Sequence, residues 1–332
     1  MSIFVFIPTQ ASTRELRTNK RNKEETSKIL RNLKEKDPQK VISQNLEKNS
    51  KDNNELNSSQ GDNLQVKFNL RDKKINLKNK DKGNISIGIP NSDKFDSVDV
   101  VDNKVIYSGQ NSKTDVIVES VDGGFRQVIN IKDSTTPSFY DFPVDLGINE
   151  TLSINDDGSA VVKKVDGSTK LGILKPWAVD KNKKDLNTWY TIENGNILRQ
   201  NIELKDASFP VLADPTWCGN QINKAEWVDR TAEGGLTLSL EPTWCGRNFD
   251  SESGYKEAIS KASSNSQFPS SDRNSSNQTY KYKVMRQQYL CHFQFATAKS
   301  RWNIEPWRPL VEWRQLINPW DSRNNSMCNA KS

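Results

Sequence analysis

Four cysteines, Cys218, Cys245, Cys291 and Cys328, all fall beyond residue 217 of a 332-residue chain, and they restrict what that part can fold into more than any other feature. Four thiols admit three pairings. Structural zinc sites bring their ligands in close pairs such as C-x-x-C, and these four are widely spaced, so disulfides are expected and no metal is. Two near-copies, Asp214-Pro215-Thr216-Trp217-Cys218-Gly219 and Glu241-Pro242-Thr243-Trp244-Cys245-Gly246, flank the strand-like runs 224–230 and 236–240. A hairpin with Val228 opposite Thr237 puts Cys218 opposite Arg247, two residues from Cys245, a gap that a bulge or slip closes. Of the three pairings this favours Cys218 with Cys245 and Cys291 with Cys328.

Disulfides imply an oxidising compartment, and the other end of the chain points the same way. Residues 1–11, Met1-Ser2-Ile3-Phe4-Val5-Phe6-Ile7-Pro8-Thr9-Gln10-Ala11, read as the tail of a secretory signal peptide shortened by the choice of start codon, with cleavage near Ala11. No run approaches the roughly 18 apolar residues of a membrane span. An apolar fraction of 33% and a mean hydropathy of -0.81 are low for a wholly globular chain. All nine tryptophans lie between Trp177 and Trp320, so the globular weight sits towards the C-terminus. Residues 12–83, rich in Lys, Asn, Glu and Ser, are expected to be a charged arm or propeptide, largely disordered or weakly helical. The arm has a basic surplus, but without interleaved aromatics or arginine clusters it does not resemble a nucleic-acid binder.

From residue 85 to 216 short β-branched runs alternate with Asp122-Gly123-Gly124, Asp157-Gly158, Asp166-Gly167 and Asn194-Gly195, dipeptides suited to tight hairpins. This spacing predicts a mainly β domain, an antiparallel sandwich or meander. Asn155-Asp156-Asp157-Gly158 has the look of a calcium loop, but Ser153 and Lys164 stand where an EF-hand needs acidic ligands, so a hairpin turn is expected. Residues 217–332 are expected to form a small disulfide-bonded α+β domain. Its predicted helices are 254–262, with Tyr255, Ala258, Ile259 and Ala262 on one face, and about 280–290, after which Phe293 and Phe295 suggest extended chain.

The chemically rich residues follow Cys291. His292 is the one histidine of the chain. With Glu305 as base, His292 as acid and Arg308 as a clamp for a developing anion, the trio would suit glycosidic or phosphodiester chemistry. Structural roles compete with this: His292 donating to a backbone carbonyl beneath the Cys291 disulfide, and Glu305 pairing with Arg308. Trp302, Trp307 and Trp313 could form a binding platform for sugar rings or a cationic headgroup, or serve as core. There is no G-x-S-x-G elbow, H-E-x-x-H, phosphate-cradling glycine loop or dinucleotide fingerprint, and no cofactor is expected.

Two resemblances add to this reading. Residues 95–217, closing on Phe209-Pro210-Val211-Leu212-Ala213-Asp214-Pro215-Thr216, resemble a β-rich module of large secreted bacterial surface proteins, which implies an extracellular structural role. Leu236-Thr237-Leu238-Ser239-Leu240, Cys291-His292, Trp302-Asn303-Ile304-Glu305-Pro306-Trp307-Arg308-Pro309 and Cys328-Asn329 look like a secreted bacterial family known only as domain of unknown function 2599, over about 222–329. That resemblance implies secretion and a compact disulfide-bonded domain, and it supplies no reaction. Two functions stay open: a secreted or cell-surface protein binding an envelope polymer or extracellular protein, or a secreted hydrolase or toxin-like effector using His292, Glu305 and Arg308.

Overall fold

Two antiparallel sheets packed face to face form the body of the protein, and a small α+β unit docks on one end of it. The computed structural model describes residues 24, 26–263, 276–318 and 328–330. The leader expected over 1–11 and Trp320 lie outside these.

The first sheet has eight strands, in the order Glu47–Lys48, Glu55–Gln60, Leu64–Asn69, Lys74–Asn79, Gly83–Gly88, Phe139–Asp145, Ile197–Ile202 and Thr188–Glu193. Its first four strands depart from the expectation of a disordered arm, and the fifth is the strand expected from residue 85. Leu64, Val66 and Phe68, Ile75 and Leu77, and Ile85 and Ile87 alternate with polar residues and all face the core. Lys, Asn and Gln on the solvent face lower the mean hydropathy of the segment without disturbing the period of two that makes it sheet.

In the second sheet the order is Thr151–Ile154, Ala160–Lys163, Thr169–Ile173, Thr216–Cys218, Gly124–Ile131, Thr114–Val121, Lys104–Ser108 and Ser97–Val101, with Val211–Asp214 and Trp177–Val179 alongside. Trp217 fills the centre of the sandwich, stacked 5.9 Å from Phe125 and edge-on at 6.0 Å to Phe142 of the opposite sheet. Asn155-Asp156-Asp157-Gly158 is a hairpin turn in which Asp157 accepts from the Ser159 amide and hydroxyl.

The hairpin Thr114–Val121 with Gly124–Ile131 is buried on both faces, because the N-terminal segment covers its outer side. A helix over 26–36 lays Ile29 and Leu33 on Ile117, Val128 and Leu212, and each such aliphatic contributes roughly 1.5–3 kcal/mol on burial. The chain then runs as a strap over the polar part of the sheet. Asp37 forks the Arg126 guanidinium with two bonds of 2.9 Å. Arg126 also pairs with Glu119 at 2.5 Å, and Ser43 donates to that same carboxylate.

The C-terminal unit is a three-stranded sheet, Ile222–Arg230, Gly235–Pro242 and Trp302–Ile304, covered by helices Ser251–Ser263 and Ser276–Phe295. Val228 lies opposite Thr237, and a bulge at Asn223 brings Ile222 opposite Pro242. Asp250 caps the first helix, accepting from the amides of Glu252 and Ser253. The second helix runs on through His292 to Phe295, where extended chain was expected, because His292 at the i+4 position bonds the Gln288 carbonyl and Cys291 turns inward to its disulfide. The disulfides are Cys218–Cys245 and Cys291–Cys328, with Cα separations of 5.5 and 5.4 Å.

The first disulfide joins the two bodies. Cys218 ends a strand of the sandwich, and Cys245 lies in the short helix Trp244–Asn248 of the C-terminal unit. Beneath it the turn Asp122-Gly123-Gly124 enters the seam, Asp122 accepting from the Trp244 amide. Gly123 has φ 94° and sits against the Asn220 carbonyl and Cys245, so a side chain there is excluded twice over. On the other side of the seam Glu257 accepts from the Gln221 and Ile222 amides and pairs with Lys82 of the first sheet at 2.6 Å.

Candidate functional site

The strand Trp302–Ile304 delivers Glu305 into the corner between the long helix and the tip of the C-terminal hairpin. The Gln288 side chain fixes its backbone, accepting from the Glu305 amide at 2.7 Å and donating to its carbonyl at 2.9 Å. The buried carboxylate accepts from Arg308 Nε at 2.7 Å and Asn329 Nδ2 at 2.9 Å, with Arg230 at 4.0 Å. Arg308 also donates to the Ala330 carbonyl at 2.9 Å. Glu305 therefore ties the 305–308 turn, the hairpin, the long helix and the chain after Cys328 together.

His292 is buried one helical turn beyond Gln288. Its Nδ1 faces the Gln288 carbonyl at 2.8 Å, which fixes that nitrogen as the donor. Burial, against the support of that carbonyl and with Lys299 adding repulsion, pushes its pKa down to about 4. At neutral pH the imidazole is uncharged. The trio thus occupies one region, with Glu305 and Arg308 in direct contact and His292 connected through Gln288.

Of the three tryptophans Trp302 is enclosed, and Trp307 and Trp313 are half-buried with packed neighbours. Trp302 is fully buried, donates to the Ala296 carbonyl at 3.0 Å and meets Tyr289 edge-on at 5.3 Å. Trp307 packs against Gly234 and Gly235, where an added Cβ would meet the indole at 2.5 and 2.9 Å, and the Arg308 guanidinium lies 4.2 Å over its ring. Trp313 lies between Phe295 at 5.9 Å and Arg314 at 5.1 Å.

Sequence reasoning missed a different feature. An open cleft of about 1760 Å³ runs along the seam between sandwich and C-terminal unit. Its walls are the hairpins around Asn155 and Ser168 and the outer face of helix Ser251–Ser263, and Leu174, Trp244 and Phe249 form its floor beside the Cys218–Cys245 disulfide. The signal that could have pointed to it is Trp244, the indole of the second near-copy, which is half-buried where Trp217 of the first is completely enclosed.

Among the described residues no helix is long and apolar enough to cross a membrane, and both disulfides are those of a chain matured under oxidising conditions, consistent with an extracellular location. Over 37 residues the chain is 43% identical to uncharacterized proteins of Mycobacterium tuberculosis and Mycobacterium bovis. That segment is 10% of this chain and 25% of each relative, so the likeness spans about a quarter of the curated proteins it matches. Residues 222–329, the disulfide-bonded α+β unit, match the family described as protein of unknown function (DUF2599).

Proposed function

We propose that this is a secreted or cell-surface bacterial protein that binds, and that its C-terminal unit engages an envelope polymer or an extracellular partner. One observation carries the reading: the residues best suited to chemistry are buried and engaged in internal contacts. Glu305 is buried and its Oε2 accepts from both Arg308 and Asn329, and His292 is neutral and bonded to its own helix. A hydrolase built on this trio would need a histidine that exchanges a proton near neutral pH and a carboxylate open to substrate. The resemblance of residues 95–217 to modules of bacterial surface proteins supports the location.

Co-sedimentation of the oxidised chain with purified bacterial sacculi tests this. Retention on sacculi is expected for the wild type and, as long as they remain folded, for His292→Gln and Glu305→Gln alike. Release of soluble fragments from sacculi by the wild type, abolished in folded His292→Gln, would overturn it in favour of the hydrolase.

A further inference from the structure

The cleft along the seam belongs to none of the contacts described above, and its lining says what it could hold. Small-molecule sites occupy roughly 300–1,000 Å³. At about 1760 Å³ and open to solvent, this one is sized for a segment of a chain passing through.

The helix Ser251–Ser263 turns Ser253, Lys256 and Ser260 to the cleft at helical spacing, while Tyr255, Ala258 and Ala262 on its other face enter the core. Hydroxyl and amide groups recur on the opposite wall, at Ser153, Asn155, Ser168 and Thr169. Between the walls, Trp244 and Phe249 are half-buried and expose apolar ring surface. They are held rigidly: both pack around the Cys218–Cys245 disulfide, and the Phe249 ring fills the space above Gly172 that any side chain there would need.

Charge decides between polymers. A phosphate polymer calls for a surplus of cations. The lining holds seven lysines against six carboxylates, and several are already matched: Lys82 and Lys261 with Glu257 at 2.6 and 3.7 Å, and Lys175 with Asp157 at 3.5 Å. A nearly neutral groove with hydroxyl and amide walls and a fixed aromatic floor matches an uncharged, hydroxyl-rich chain, whose polar edges meet the walls and whose apolar ring faces meet the floor. We propose that this cleft binds an extended neutral glycan, an inference that rests on the envelope-binding reading and names the substrate class for it.

The test is calorimetric titration of the full oxidised chain with a β-1,4-linked N-acetylglucosamine tetramer and a linear β-1,4-glucan hexamer, with poly(glycerol phosphate) as the charged comparison. One neutral oligosaccharide is expected to bind and poly(glycerol phosphate) not to compete with it. Trp244→Ala should weaken binding about tenfold or more. Because Trp244 also covers a disulfide, the exposed Ser260→Trp, which fills the cleft without touching the core, provides the second variant and should weaken binding equally. Failure of both oligosaccharides to bind, unchanged affinity in Ser260→Trp, or tighter binding of poly(glycerol phosphate) would each overturn the proposal. If sacculi retain the wild type and Ser260→Trp alike, the envelope reading stands and the cleft is refuted. If the oligosaccharide binds in the cleft and sacculi do not, the cleft stands and the envelope reading falls.

Discussion

With its carboxylate between Arg308, Asn329 and Arg230, Glu305 holds four stretches of chain in one place. Its pair with Arg308 is shielded, the Arg308 side chain being 11% exposed and that of Glu305 3%. Glu305→Gln leaves the guanidinium without its counter-charge, and breaking such a pair costs about 3 kcal/mol or more. The variant should unfold in urea at a clearly lower midpoint, and an unchanged midpoint would remove the structural role assigned here. His292 gives a pH signature. Its folded pKa is pushed down to about 4 by burial, against about 6.5 in an unfolded chain. Between those values the folded protein binds fewer protons, so this contribution to stability is complete above about pH 6.5 and is lost as pH falls towards 4. Asp214 opposes it, because burial, helped by the Asp37 charge and only partly offset by Arg126, raises its carboxyl to about 7, and that contribution grows as pH falls through the same window. The stability difference between wild type and His292→Gln isolates the histidine, and it should shrink from pH 6.5 to pH 4. The contact of Glu305 with Arg308 was legible from their spacing. Gln288, Arg230 and Asn329 were not, because each reaches the site from an element distant in sequence.

The element scale shows how little local sequence decides by itself. Pro-Thr-Trp-Cys-Gly occurs at 215–219 and at 242–246; the first copy is a strand pinned by the hairpin partner Gly124–Ile131, and in the second Thr243 caps a helix by accepting from the Gly246 amide. The strands over 47–88 carried the right period of two under a polar composition. The strap is held by polar contacts, the Asp37–Arg126 ion pair and the Ser43–Glu119 bond among them, while Ile29 and Leu33 of the preceding helix supply the main buried aliphatics. Asp37→Ala should leave Glu119 as the one carboxylate bonded to Arg126, weaken the strap by about 3 kcal/mol, and speed amide hydrogen exchange over 26–46 while the hairpin Thr114–Val121 with Gly124–Ile131 stays protected. Unchanged exchange over 26–46 would show that the ion pair does not hold the strap.

For the molecule as a whole, the seam matters more than either body. The sandwich and the α+β unit were legible as separate textures of sequence, turn dipeptides on one side of residue 217 and cysteines and tryptophans on the other. That they form one continuous object was not, because the joining contacts pair Lys82 with Glu257, Asp122 with the Trp244 amide, and Cys218 with Cys245. The two disulfides close separations of 27 and 37 residues, and in the loop-entropy picture each contributes about 4 kcal/mol. The central claim, a chain matured under oxidising conditions and locked by those two bonds, is tested most directly by non-reducing peptide mass mapping of the chain isolated from its native location. The expected result is two cross-linked peptide pairs, Cys218 with Cys245 and Cys291 with Cys328, and recovery of four free thiols would contradict it.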